Sequence, residues 1–200
     1  MKTRSLLAIG LVLALLALAG CSKDSGGGGS QTGTGANTTT VSPETYVAGL
    51  CSTMATYISD VQSITNDFTS SLTPTAPLAD QKAAVLAYLD DVITSTKSMI
   101  ADVQAVGVPD VSNGQEVVSA VQSAFQQAES VMEDARSTVG SLSLDDPVAF
   151  GNALKDLGTS LQTSLGDVGG SLGALDSPEL SSASAAEPAC TSLASAVGAS

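Results

Sequence analysis

Apolar side chains recur every three or four residues through most of the chain after residue 42, which is the period of amphipathic helices. Four such stretches follow one another, at about residues 43–72, 78–106, 114–142 and 147–175. Each would form a helix of about 28 residues and about 42 Å. The first apolar stripe consists of Val47, Leu50, Met54, Tyr57, Ile58, Val61, Ile64, Phe68 and Leu72.

Helix-start signals and turns separate these stretches. Ser42 precedes Pro43, and Asp146 precedes Pro147, which is the pattern of an N-cap followed by proline in the first turn. The connections are short, so consecutive helices should run antiparallel. The sequence therefore predicts an all-α fold, an up-down-up-down four-helix bundle over residues 43–200. Further starts at Pro178 and Pro188 predict a short C-terminal helical segment, and no period-two run favours strands.

The first 42 residues have a different composition. Residues 1–20 join a positive start, MKTR, to an apolar run that is short for a membrane span and ends in small residues, which predicts a signal peptide. Residues 21–42 are rich in Gly, Ser and Thr, which predicts a flexible linker with a reach of about 25 Å. The linker would space the domain from a surface, although neutral filler would have the same composition.

The letters LAGC, Leu18 to Cys21, resemble the lipobox of bacterial lipoproteins. The resemblance implies that Cys21 carries a diacylglyceryl group and becomes the first residue after the leader is removed. The alternative is a plain signal peptide with a cysteine nearby by chance. The whole layout is similar to small lipoproteins of high-GC Gram-positive bacteria, which implies a lipid anchor on the extracytoplasmic face of the cell membrane.

With Cys21 used for lipid, two cysteines remain. Cys51 lies two turns into the first helix, and Cys190 follows the fourth. An up-down-up-down bundle returns its C-terminal tail to the level where the first helix begins, and an exported protein meets an oxidising compartment. We therefore predict a Cys51–Cys190 disulfide, with two buried free thiols as the alternative.

Charge and residue content narrow the possible chemistry. The net charge is −13, with 20 acidic and 7 basic residues, so nucleic-acid binding is disfavoured. The absence of histidine removes most metal and general-base designs, so we expect no cofactor and no enzymatic activity. The acidic pairs at 90–91, 133–134 and 145–146 are interpreted as surface or capping groups. A weak calcium-loop pattern at 110–116 is better explained as an Asn-Gly turn, and three helical methionines as core packing.

One feature of the fourth helix suggests contact with another molecule. Five glycines fall on one stripe beside its leucines: Gly151, Gly158, Gly166, Gly169 and Gly173. They could form a flat edge where a partner approaches, or allow close packing by the C-terminal segment, or reflect relaxed surface composition. Long helices offer faces to a partner, so we expect a non-enzymatic binding or interaction module on the cell surface that contacts an envelope protein or small ligand. The alternative is a carrier or sensor that holds a small apolar ligand between helices.

Overall fold

The computed structural model describes residues 39–71, 73, 76–172 and 177–198. Its all-α bundle and its C-terminal helical segment confirm the predicted fold class. The predicted signal peptide and the predicted lipid attachment site, Cys21, lie outside the described residues. The elements are β1 (Thr40–Val41), α1 (Pro43–Ser71), α2 (Leu78–Val106), β2 (Val108–Pro109), α3 (Gly114–Ser141), α4 (Pro147–Leu172), α5 (Pro178–Ala186) and α6 (Pro188–Gly198).

Side-chain caps fix three of the helix starts. The Ser42 hydroxyl accepts a hydrogen bond from the amide of Thr45 at 3.2 Å, at the start of α1. The Asp146 carboxylate accepts from the amides of the second and third residues of α4, at 2.8 and 3.1 Å. Ser177 accepts from the amide of Leu180 at 3.4 Å and caps α5. These local bonds satisfy amides that have no partner within the helix, which is why the predicted starts are correct.

Contacts between helices show that neighbours run antiparallel. Along α1 and α2, the Tyr57 hydroxyl meets Thr96 at 3.1 Å, whereas the Phe68 ring, later in α1, packs on Tyr88, earlier in α2, with ring centroids 4.8 Å apart. The same reversal relates α2 to α3, and α3 packs in turn on α4. The short helices α5 and α6 pack against α1.

Buried apolar residues form two cores along the bundle. The first core joins the start of α1, the end of α2, the start of α3 and the two short helices. Its buried members are Tyr46, Val47, Met99, Ile100, Val103, Val117, Val118, Val121, Phe125, Ala183 and Cys190. The second core lies towards the other end, where Leu89, Ala135 and Val139 are buried with partly buried leucines of α4 around them.

The last residues of the predicted linker belong to the folded domain. β1 pairs in parallel with β2, and the Thr39 carbonyl accepts from the amide of Val108 at 2.9 Å. Between α2 and β2, Gly107 has a φ of 101°, which favours glycine. The expectation of a flexible linker up to residue 42 is therefore wrong for its final residues. The side chain of Val41 packs against the first core, and that contact holds the strand in place.

Candidate functional site

A shallow groove of about 160 Å³ runs between α3 and α4 and is open to solvent. It is formed by the second half of α3 and the middle of α4. Its lining residues are Val131, Asp134, Ala135, Thr138, Leu157, Ser160, Leu161 and Ser164. The leucines and Ala135 belong to the second core or pack against it, so the floor of the groove is the outer edge of that core.

The groove combines an apolar floor with a polar rim. Asp134, Thr138 and Ser160 are exposed and Ser164 is partly buried, so the rim offers three hydroxyls and one carboxylate. Hydroxyls can donate and accept hydrogen bonds, while the carboxylate only accepts. The groove could therefore receive an apolar group on its floor while the rim residues form hydrogen bonds with polar groups next to it.

Sequence reasoning did not identify this groove. Ser160 and Ser164 are spaced by four residues beside the leucine stripe of α4, which is a signal that they share a face with it. However, the matching residues of α3 depend on how the two helices are rotated against each other. The predicted acidic pair at 133–134 is divided by that rotation, because Asp134 lines the groove whereas Glu133 bonds to Lys97 of α2 at 3.0 Å.

The structure describes the first part of the predicted glycine stripe. At Gly151 and Gly158, an added Cβ would meet no atom within 4 Å, so both positions face open space. Close packing by the C-terminal segment is therefore wrong at these two positions, because α5 and α6 pack on α1 instead. The rest of the stripe lies outside the residues whose surroundings the structure describes, at Gly166, Gly169 and Gly173.

The glycines and the groove lie on different sides of α4. At about 100° per residue, Gly151 and Gly158 are more than about 100° around the helix from Ser160 and Ser164. Gly151 and Gly158 therefore do not contribute to the groove, and at these two positions the helix presents exposed backbone to solvent.

Cys51 and Cys190 form the predicted disulfide. The sulfur atoms are 1.98 Å apart and the Cα atoms 5.1 Å apart, across a sequence separation of 139 residues. Closing so long a loop in the unfolded chain stabilises the folded state by about 5 kcal/mol in the chain-entropy treatment. The bond attaches α6 to α1 at the first core.

Cationic side chains are concentrated between α2 and α3. Lys97 pairs with Glu129 and Glu133, at 3.3 and 3.0 Å, and Arg136 pairs with Asp90. The hydrogen bond from Arg136 lowers the pKa of Asp90, and the bond to Glu133 raises the pKa of Lys97. Asp90 and Glu133 are therefore engaged in surface ion pairs, which agrees with their interpretation as surface acidic residues.

Other predicted motifs have structural explanations. The amide of Asp110 donates to the Val41 carbonyl at 2.8 Å, and α3 begins at Gly114, so the calcium-like pattern is a turn. Met54 and Met99 pack in the first core and Met132 in the second. Within the described ranges, no group of three or more cysteine or acidic residues could hold a metal ion.

Two tyrosines of α1 carry buried polar chemistry that sequence reasoning missed. Tyr46 is 1% exposed, and its hydroxyl has no hydrogen-bond partner in the described part of the protein. The Tyr57 hydroxyl instead donates to Thr96, whose own hydroxyl donates to the Val92 carbonyl at 2.8 Å. Burial raises the pKa of both tyrosines.

The fold defines the class of protein as a disulfide-closed, all-α bundle with an open groove between α3 and α4. Comparisons with protein-family models, with curated proteins and with solved structures found no match for this chain. Among the helices that the structure describes, none is both long and apolar enough to cross a membrane.

Proposed function

We propose that this protein is a lipid-anchored, extracytoplasmic binding module that uses the α3–α4 groove as its contact surface and catalyses no reaction. The anchor is supported by the resemblance of LAGC to a lipobox, with Cys21 as the attachment site. The location is supported by the Cys51–Cys190 disulfide, because disulfides persist mainly in oxidising compartments. The observation that carries the binding role is the groove itself.

The dimensions of the groove favour a surface contact. Sites for small molecules usually enclose about 300–1,000 Å³. A groove of about 160 Å³ that is open to solvent is better suited to one or two side chains of a protein, or to a segment of an envelope polymer. The carrier alternative, with an apolar ligand between helices, has no comparable support from the described residues.

Charge indicates which partner segment fits. The chain has a net charge of −13, and Asp134 adds an exposed carboxylate to the rim of the groove. Complementary charge steers association and selects partners more than it adds affinity. The preferred partner segment therefore presents an apolar side chain to Leu157 and Leu161 and a lysine or arginine to Asp134.

The anchor can be tested by lipid labelling of the full chain in a bacterium that processes lipoproteins. With a palmitate analogue in the medium, the wild-type chain should incorporate label, lose residues 1–20 and fractionate with membranes. Cys21→Ser should abolish both the label and the cleavage, whereas Cys51→Ser should retain the label as a matched control. Equal labelling of Cys21→Ser and wild type would refute the proposed anchor.

The contact surface can be tested in intact cells with a photo-reactive amino acid. Placed at Ser160, on the rim, it should give a discrete adduct, whereas at Thr56, which is exposed on α1, it should give none. Asp134→Lys should weaken the Ser160 adduct by reversing the local charge. Adducts at both positions, or at neither, would show that the groove is not the contact surface.

A further inference from the structure

The C-terminal hairpin, defined as α5 and α6 (Pro178–Gly198), rests on one side of the bundle. Both helices make their extensive contacts with α1. Among the side chains of this segment that the structure describes, the buried ones are small, namely Ala183 and Cys190, and Leu180 is only partly buried. Small side chains remove little apolar surface from water, so packing alone holds the hairpin weakly.

Apolar residues of α1 surround the position of the disulfide. On α1, Val47 is buried, and Leu50 and Met54 pack against the same core. The Cys190 sulfur lies 3.9 Å from the Val47 carbonyl oxygen, so the hairpin reaches this part of α1. At about 100° per residue, Val47, Leu50 and Met54 all lie within about 100° of Cys51 around the helix, so they would gain exposure if the hairpin left. An apolar strip of this kind would favour contact with another apolar surface.

The rest of the bundle has supports that do not involve the hairpin. Val103 of α2 and Val121 of α3 are buried in the first core. Ion pairs between Lys97 and Glu133, and between Arg136 and Asp90, also join α2 to α3. The α2–α3 pair therefore has its own packing and its own polar bonds.

We propose that the Cys51–Cys190 disulfide is a redox latch. While it is intact, it holds the C-terminal hairpin on α1. When it is reduced, the hairpin leaves α1 and uncovers Val47, Leu50 and Met54, while α2 and α3 stay folded.

Reduction requires a dithiol, and an extracytoplasmic dithiol protein is the chemical class of the reductant. One of its thiolates attacks a sulfur of the Cys51–Cys190 bond and forms a mixed disulfide, and the other cysteine leaves as a thiolate. The second thiol of the reductant then displaces the first, so the reductant ends as a disulfide. Cys51 and Cys190 end as two thiols, with protons taken from the dithiol. The latch rests on the proposed location only for the source of this reductant.

Hydrogen exchange of the purified full chain, with and without dithiothreitol, tests the latch independently of location. On reduction, backbone amides in the hairpin and in residues 46–54 should exchange at least about tenfold faster, while those in residues 99–103 and 117–125 should change less than about twofold. The double variant Cys51→Ser with Cys190→Ser should show the reduced pattern without reductant and should not respond to it. Leu180→Ala, with the disulfide intact, should leave the hairpin protected.

Two outcomes would overturn the proposal. If the hairpin keeps its protection after reduction, packing holds it and the disulfide is no latch. If residues 99–103 and 117–125 lose protection together with the hairpin, the bond supports the whole fold and releases no separate part. Should the double variant fail to fold, reduction of the folded wild-type chain still distinguishes these results.

Discussion

Tyr46 and Tyr57 allow the same chemical change to be made twice on α1 with opposite expected effects. Replacing either tyrosine by phenylalanine removes one hydroxyl and leaves the ring. The Tyr57 hydroxyl is hydrogen-bonded to Thr96 at 3.1 Å, and Thr96 is 1% exposed. The Tyr46 hydroxyl is buried without a partner in the described part of the protein. The two sites therefore differ in the bonding of the hydroxyl, and Tyr46 is also the more buried of the two residues.

The expected magnitudes follow from this difference. Tyr57→Phe removes one hydrogen bond and should lower the free energy of unfolding by about 1 kcal/mol. Thr96 keeps its bond to the Val92 carbonyl, so no further penalty is expected. Tyr46→Phe removes an unpaired buried hydroxyl and should raise the free energy of unfolding by about 1 kcal/mol. The two variants should therefore differ by about 2 kcal/mol, or roughly 4–8 °C in Tm for a domain of this size.

Urea unfolding followed by circular dichroism measures these differences in the purified full chain. The slope of the free energy of unfolding against urea concentration should be the same for both variants and wild type, so only the midpoint of unfolding should change. A destabilised Tyr46→Phe would refute the reasoning, because it would mean that the hydroxyl makes a stabilising bond. An unchanged Tyr57→Phe would refute it equally, because the bond to Thr96 would then contribute nothing.

The same tyrosines predict how stability depends on pH. Burial raises the pKa of both in the folded state above the ordinary value of 10.0. As the pH rises, the unfolded chain therefore releases these two protons before the folded chain does. The contribution of the two tyrosines to the free energy of unfolding is complete below pH 10 and is lost as the pH rises through the folded pKa values. Wild-type stability should fall above pH 10, and each phenylalanine variant should show a shallower fall in unfolding experiments across pH 9–11.

Two further pairs of variants test the packing and the caps. Gly114→Ala should destabilise the protein by about 2 kcal/mol, because a Cβ there would collide with a carbonyl oxygen of β2. Gly151 faces open space, so Gly151→Ala should stabilise the protein by about 0.5–1 kcal/mol. Thermal unfolding should show a lower Tm for the first variant and a higher Tm for the second. Lys82→Met should cost about 1–2 kcal/mol, because the Lys82 Nζ donates to two carbonyls at the C-terminal end of α3, each at 2.8 Å. The matched change Lys155→Met, on exposed α4, should stay within about 0.5 kcal/mol of wild type in urea unfolding; equal effects of the two lysine variants would contradict the capping role.

The helices could be predicted because their signals are local. Each start depends on residues within one turn, such as Ser42 before Pro43 and Asp146 before Pro147. The disulfide could also be predicted, because four antiparallel helices bring the C-terminal segment back to Cys51. Order along the chain and short connections were enough for both inferences.

The β1–β2 pair could not be predicted in the same way. It joins Thr40 to Val108 across 68 residues of sequence, and each strand has only two residues. A run that short has no readable periodicity, and Val41 is a single apolar residue beside a polar stretch. β1 is held in place because the amide of Asp110 donates to the Val41 carbonyl and because the Val41 side chain packs against the first core. Both contacts are with residues far away in the sequence.

The candidate site and the tyrosines depended on helix rotation. At about 100° per residue, Tyr46 and Tyr57 lie about 20° apart around α1, but only the position of Thr96 on α2 decides which hydroxyl finds a partner. In the same way, Ser160 lines a groove only because α3 presents Asp134 beside it. Pairings of this kind are set by the register between helices, which a single sequence does not encode in any local pattern.

The linker joins the domain at one end of the bundle, and the groove lies towards the other. Val108 of β2, which pairs with β1, comes six residues before the start of α3 at Gly114. From Gly114 to Val131 and Thr138 is about 25–36 Å along the helix axis, at 1.5 Å per residue. A chain anchored at Cys21, as proposed, would be tethered by its β1 end, because the predicted linker joins the fold there. The same pairing would leave the groove on the half of the bundle that is farther from the anchor, where a partner on a neighbouring surface can reach it.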